Sequence, residues 1–183
     1  MAVDRKSVLL GSGVLYLMPF AGEMPEDAAL EAEDNALGRI KGGASLEYKP
    51  EEYEVEDDMG EVVVRFITKE EAMFKSGVLT WALENLAKLS PGVYTHDETG
   101  GEKKLVIGGA KSLTDYALRF VHTKADGNKL RITMVATAGS GFTLTFEGKK
   151  ETVIDAEFKA LSQDDGTLVE IREQVPAVGG GEE

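Results

Sequence analysis

From Leu105 onward the chain repeats one device: a short run of alternating apolar and polar residues, then a glycine-bearing turn. Tyr116, Leu118 and Phe120 share one face of a run whose other face carries Arg119 and Thr123. Leu130, Ile132 and Met134 alternate with Arg131, Thr133 and Val135. Phe142, Leu144 and Phe146 alternate with Thr143, Thr145 and Glu147. Ile154, Ala156, Phe158 and Ala160 alternate with Asp155, Glu157 and Lys159. A period of two is the signature of half-buried strands, and it is incompatible with helix over the same residues. Ala125-Asp126-Gly127-Asn128, Gly139-Ser140-Gly141 and Asp164-Asp165-Gly166 supply the turns between them. The pattern predicts a mainly β domain of about seven to nine strands, a sandwich or barrel.

The first half adds three features. Residues 6–20 read as a strand bulged at Gly11-Ser12-Gly13. Residues 21–37 follow as an exposed loop, with six acids and no base between Glu23 and Asp34; Ala29-Leu30-Glu31-Ala32-Glu33 offers a turn of helix, but Pro25 and the charge density favour the loop. Residues 42–75 form a long hairpin around Asp57-Asp58-Met59-Gly60, with Pro50 marking its first arm as an edge or bulged strand. Residues 79–89, LTWALENLAKL, are the one clear helix, with Thr80 as N-cap, Trp81, Leu83, Leu86 and Leu89 in the apolar stripe, and Ser90-Pro91-Gly92 as the stop. His96-Asp97-Glu98-Thr99-Gly100-Gly101 reads as a turn.

Length and composition set bounds. The 183 residues suit one domain, taken as residues 1–175 with a flexible tail at 176–183. A net charge of −13 opposes binding to nucleic acid phosphates and to anionic membranes. The absence of cysteine removes disulfides, thiolate metal sites and cysteine nucleophiles. MAVDRKSVLLGSG is too polar and too short in its apolar run for a cleaved signal peptide.

No segment carries a catalytic signature. GSGVLY lacks the third glycine of a dinucleotide loop and the lysine of a P-loop, so it reads as a bulged strand. His96 and His122 have no partner at metal-ligand spacing, and no nucleophile elbow accompanies them. The two Asp-Asp turns lack the ligand alternation of an EF-hand. No pair among the 33 acids stands out for glycoside hydrolysis, and Trp81 reads as core. The expectation is therefore no catalytic residue, no metal and no cofactor.

The hairpin is different. Val62-Val63-Val64 and Phe66-Ile67 are apolar on both faces, whereas ordinary half-buried strands alternate. Two readings remain open: the strand lies centrally in its own domain, or a neighbouring subunit covers it.

The order of GSGVLYLMPF, GGASLEYKPEEYEVEDDMGEVVVRFITKEE, FKSGVLTWALENLAKLS and VIDAEFKALSQDDGTLVEIRE resembles the major tail tube proteins of long-tailed bacteriophages and related prophage elements. The likeness runs from about Val8 to Glu173. It implies a β-sandwich or barrel with one flanking helix, in hexameric rings that stack into a hollow tube within the virion tail, assembled in the bacterial host cytoplasm. It implies DNA as cargo that passes without being bound, and sheath, tape-measure, tail-tip and terminator proteins as further partners. Alternation within that frame makes Val62, Val64, Phe66 and Ile67 the candidate subunit contacts, and Glu47, Glu54, Glu56, Asp155 and Glu157 the candidate lumen acids. A register slip of one residue exchanges the two sets. The rival functions are a monomeric β-sandwich carbohydrate- or ligand-binding module, which needs a surface aromatic patch, and a small hydrolase with a perturbed carboxylate pair.

Overall fold

A computed structural model describes residues 13–78, 81–109, 112–138, 141–146 and 151–175. Ten strands dominate it: β1 (Val14–Pro19), β2 (Ala36–Glu56), β3 (Val62–Val78), β4 (Gly92–Asp97), β5 (Glu102–Ile107), β6 (Asp115–Thr123), β7 (Lys129–Thr137), β8 (Phe142–Leu144), β9 (Ile154–Ala160) and β10 (Glu170–Glu173). Two short helices accompany them, α1 (Asp27–Leu30) and α2 (Leu83–Lys88), and a 3-10 turn spans Glu33–Asn35. The protein is mainly β, as the alternation requires.

The large sheet runs β10-β7-β6-β1-β2-β3-β9-β8, with every neighbouring pair antiparallel. β7 also pairs with β9 through Ala136–Ala160 and Thr137–Lys159. That second pairing closes β7-β6-β1-β2-β3-β9 into a ring, so most of the sheet has no open edge. Inward residues fill it: Leu15, Leu17, Phe74, Leu118, Met134 and Phe158 are fully buried. Phe74 and Phe120 meet with ring centroids 5.6 Å apart. Each such side chain contributes about 1.5–3 kcal/mol of burial.

Against this core, α2 and the β4–β5 hairpin form a cap. Leu86 and Leu89 enter the core, while the Asn85 side chain donates to the Leu37 carbonyl at 2.8 Å. Glu84 accepts from the Tyr94 hydroxyl at 2.6 Å and from the Lys103 ammonium at 2.7 Å, which ties helix to hairpin. These two contacts, Lys103 first, lower the Glu84 carboxyl to about 2.

The helix is shorter than the sequence predicts. It starts at Leu83, with Ala82 in extended conformation at the cap and no side-chain oxygen to satisfy the first N–H groups. Leu79 and Thr80 lie outside the described residues. Trp81 is half exposed, not core; its ring meets Phe146 edge-on at 6.0 Å. His96 and Asp97 lie in β4, opposite Lys103 and Glu102, and residues 98–101 make the turn. The predicted bulge at Gly11-Ser12 and the tail at 176–183 fall outside the described residues.

Residues 21–37 correct the sequence reading most clearly. They hold α1 and the 3-10 turn, with Leu30 fully buried beneath them. Two of the acids there, Asp27 and Glu31, serve the sheet. Arg119, on the outer face of β6, is 1% exposed. A buried guanidinium requires counter-charge and acceptors. Asp27 takes Arg119 Nη1 at 2.7 Å and Arg172 Nη2 at 2.6 Å, and Thr133 Oγ1 takes Arg119 Nε at 3.0 Å. Glu31 takes Arg131 Nε at 2.5 Å and Lys129 Nζ at 2.8 Å. The segment predicted as a solvated loop is thus a charged lid that roofs the polar face of β6 and β7.

Candidate assembly surface

β2 and β3 continue far past the barrel. β9 accompanies β3 from Met73 to Val78, and below Ala72 the two strands pair, among the described residues, only with each other. Every residue from 48 to 71 is exposed. Nine residues of strand from Tyr48 to Glu56 span roughly 30 Å. The Asp57–Gly60 turn closes the tip: Asp57 Oδ1 accepts the N–H groups of Met59 and Glu61, both at 2.9 Å, and Gly60 takes φ of +80°. The Asp165 carboxylate likewise accepts the Thr167 N–H at 2.8 Å, so both Asp-Asp-containing turns spend a carboxylate on closing themselves. Among the described residues no cluster of three metal-ligating side chains occurs.

Register decides which residues share a face, because directly opposed residues point the same way. Tyr53 opposes Phe66, and Val55 opposes Val64. These four side chains form one apolar face at the tip, with Tyr53 60%, Phe66 55%, Val64 42% and Val55 38% exposed. Glu52–Ile67, Glu54–Arg65 and Glu56–Val62 occupy the reverse face. The pairing skips Thr68 and Val63, so β3 carries an extra residue at each place. Of the four predicted contact residues, Val64 and Phe66 share a face, and Val62 and Ile67 lie behind it among acids. Tyr53 and Val55 complete the apolar face and were missed, because a Glu-rich arm masks their alternation. Pro50 stands in a ribbon with two open edges, opposite Glu70, in keeping with the edge-strand reading.

The predicted lumen acids divide the same way. Met73 opposes Glu47, Lys75 opposes Glu157 and Gly77 opposes Asp155, so Glu47, Asp155 and Glu157 share the outer face of β2, β3 and β9. Glu54 and Glu56 lie on the reverse face of the ribbon. The outer-face acids alternate with lysines: Glu47 meets Lys49 at 2.7 Å, and Glu157 meets Lys75 at 3.3 Å. The Lys49 hydrogen bond lowers the Glu47 carboxyl. Further out, Lys69 bridges Glu71 at 2.5 Å and Glu51 at 3.6 Å. One ribbon face therefore changes from paired charges on the stalk to bare hydrocarbon at the tip.

The reverse face of the stalk overlooks an open groove of about 510 Å³ lined by Leu46, Tyr48, Leu168, Val169 and Ile171. The Tyr48 hydroxyl donates to Glu70 beside it. Ile171 is 59% exposed on β10, an edge strand of the sheet.

No protein-family model matches the chain, and no curated protein is significantly similar to it.

Proposed function

We propose that this chain is a self-assembling structural subunit of a phage or phage-like tail tube, whose copies form hexameric rings that stack around a hollow conduit. The observation that carries the reading is the ribbon tip. An isolated two-stranded hairpin is marginal in water, and this one also exposes Tyr53, Val55, Val64 and Phe66 on a single face. Such an arm gains its stability from a partner, and the sequence likeness to tail tube proteins names a sister subunit as that partner. Contacts between unlike surfaces close into a ring under rotation and extend under translation.

In the assembled tube Glu47, Asp155 and Glu157 are the lumen candidates, since they share one face; Glu54 and Glu56 leave that set. The net charge of −13 keeps DNA sliding as cargo that the wall repels. Sheath, tape-measure, tail-tip and terminator proteins are the further partners of a subunit of this kind, and the virion tail is its place. The reading assigns no catalysis.

The rival, a monomeric carbohydrate-binding module, draws on the exposed Trp81–Phe146 pair. Their rings meet at 63°, edge to face, and do not form the flat platform on which a sugar stacks. Val64→Asp tests the reading: sedimentation velocity is expected to show the wild type forming larger species with concentration and the variant remaining monomeric, with unchanged far-UV circular dichroism. A variant that assembles like the wild type removes the ribbon tip as the contact.

A further inference from the structure

We infer that the apolar tip face of one copy seats head to tail in the groove between stalk and β10 of a second copy. This rests on the self-assembly reading and names its donor and acceptor. The donor is Tyr53, Val55, Val64 and Phe66; the acceptor is lined by Leu46, Tyr48, Leu168 and Ile171.

Three observations lead there. First, the two surfaces match in chemistry. The tip face carries no charged side chain, and its nearest same-face neighbours, Glu51 and Lys69, are paired with each other. The groove wall is mostly apolar, and its one carboxylate, Glu70, is tied to the Tyr48 hydroxyl. Seating one in the other buries no unpaired charge. Second, the tip face of a chain points away from its own groove. Leu46 and Tyr48 alternate with Glu47 and Lys49 along β2, and Tyr53 and Val55 fall on the Glu47 side. The tip face and the groove thus lie on opposite faces of one continuous ribbon. Third, the groove opens where the barrel is unfinished. Among the described residues β10 pairs only with β7, and the stalk pairs only with itself, so no described strand lies between them. The donor and the acceptor are different surfaces, so a head-to-tail contact between them closes into a ring or extends into a filament.

The chain has no native cysteine, so single cysteines report the contact directly. The experiment mixes Phe66→Cys with Ile171→Cys under mild oxidation, at a concentration where the wild type self-associates. The expected product is a disulfide-linked heterodimer, several-fold above the homodimers that either variant forms alone. In parallel, Phe66→Asp and Ile171→Asp are each expected to sediment as folded monomers, while their mixture forms a one-to-one complex from the one intact donor and the one intact acceptor. Absence of the heterodimer, or a mixture of two folded monomers that does not pair, overturns the inference. Wild-type tubes that persist in both Asp variants overturn this contact and leave the tube reading standing. Pairing as expected in solid filaments without a lumen sustains the contact and overturns the tube.

Discussion

Arg119 shows how much one buried charge organises. Its guanidinium sits between β6 and the α1 segment, and Asp27, Glu31 and Thr133 surround it. Arg172 hydrogen-bonds to Asp27 and, with Arg119, lowers that carboxyl against the opposing effect of burial. Burial pushes the Glu31 carboxyl up, and hydrogen bonds from Arg131 and Lys129 outweigh it, so the net shift is downward. Groups lowered in the folded state stabilise it above their ordinary values of 3.8 and 4.5, and that stability is lost as pH falls through the lower folded values. Thermal melts are therefore expected to drop below about pH 4.5, and Glu31→Gln to flatten that drop. At neutral pH the same substitution is expected to cost about 2 kcal/mol in urea unfolding, on the low side for a buried pair because Lys129 and Asp27 stay partly wetted. A second residue-scale test is Gly77→Ala. A Cβ there overlaps the Lys41 carbonyl oxygen, so backbone must move where β2 departs from regular pairing through Lys41-Gly42-Gly43. The expected outcome is a lower melting temperature, and an unchanged melt refutes the tight approach. The alternation of Leu118 and Phe120 was legible in the sequence. The service of Asp27 and Glu31 to Arg119 was not, because the pairs are separated by about ninety positions and nothing local marks them.

At the scale of elements, the ribbon was legible in extent and illegible in face. Glycine at the turn and two long strand-like runs located the hairpin. The extra residues at Val63 and Thr68 then shifted β3 against simple alternation, which put Val62 and Ile67 behind the face that Val64 and Phe66 share with Tyr53 and Val55. Bulges of this kind leave no sequence signal when every residue around them favours strand. The ribbon contributes little to the barrel, since residues 48–71 are exposed throughout. Replacing residues 49–69 with a short Asn-Gly turn is thus expected to leave the melting temperature of the barrel within a few degrees and to abolish assembly. Loss of the folded barrel in that deletion contradicts the independence of the two. The helix also fell short of its pattern: Trp81 has the spacing of a core residue, yet Ala82 is extended and the ring turns to Phe146.

For the whole molecule, charge and grease oppose each other. Each copy carries −13, so approach of two copies is repelled over a Debye length of about 8 Å at physiological salt. The apolar contact at four tip side chains is small beside a standard interface, so affinity must build from repetition around a ring. Assembly is expected to strengthen as sodium chloride rises from low to moderate concentration, measured by light scattering, since screening removes repulsion and leaves apolar burial intact. Weakening with salt would place ion pairs, not the tip face, at the contact. The most direct test of the central claim is electron microscopy of the concentrated wild-type protein at moderate salt. The account predicts rings and hollow tubes with sixfold end views. A protein that stays monomeric at every concentration, with the Tyr53–Phe66 face still bare to solvent, contradicts it.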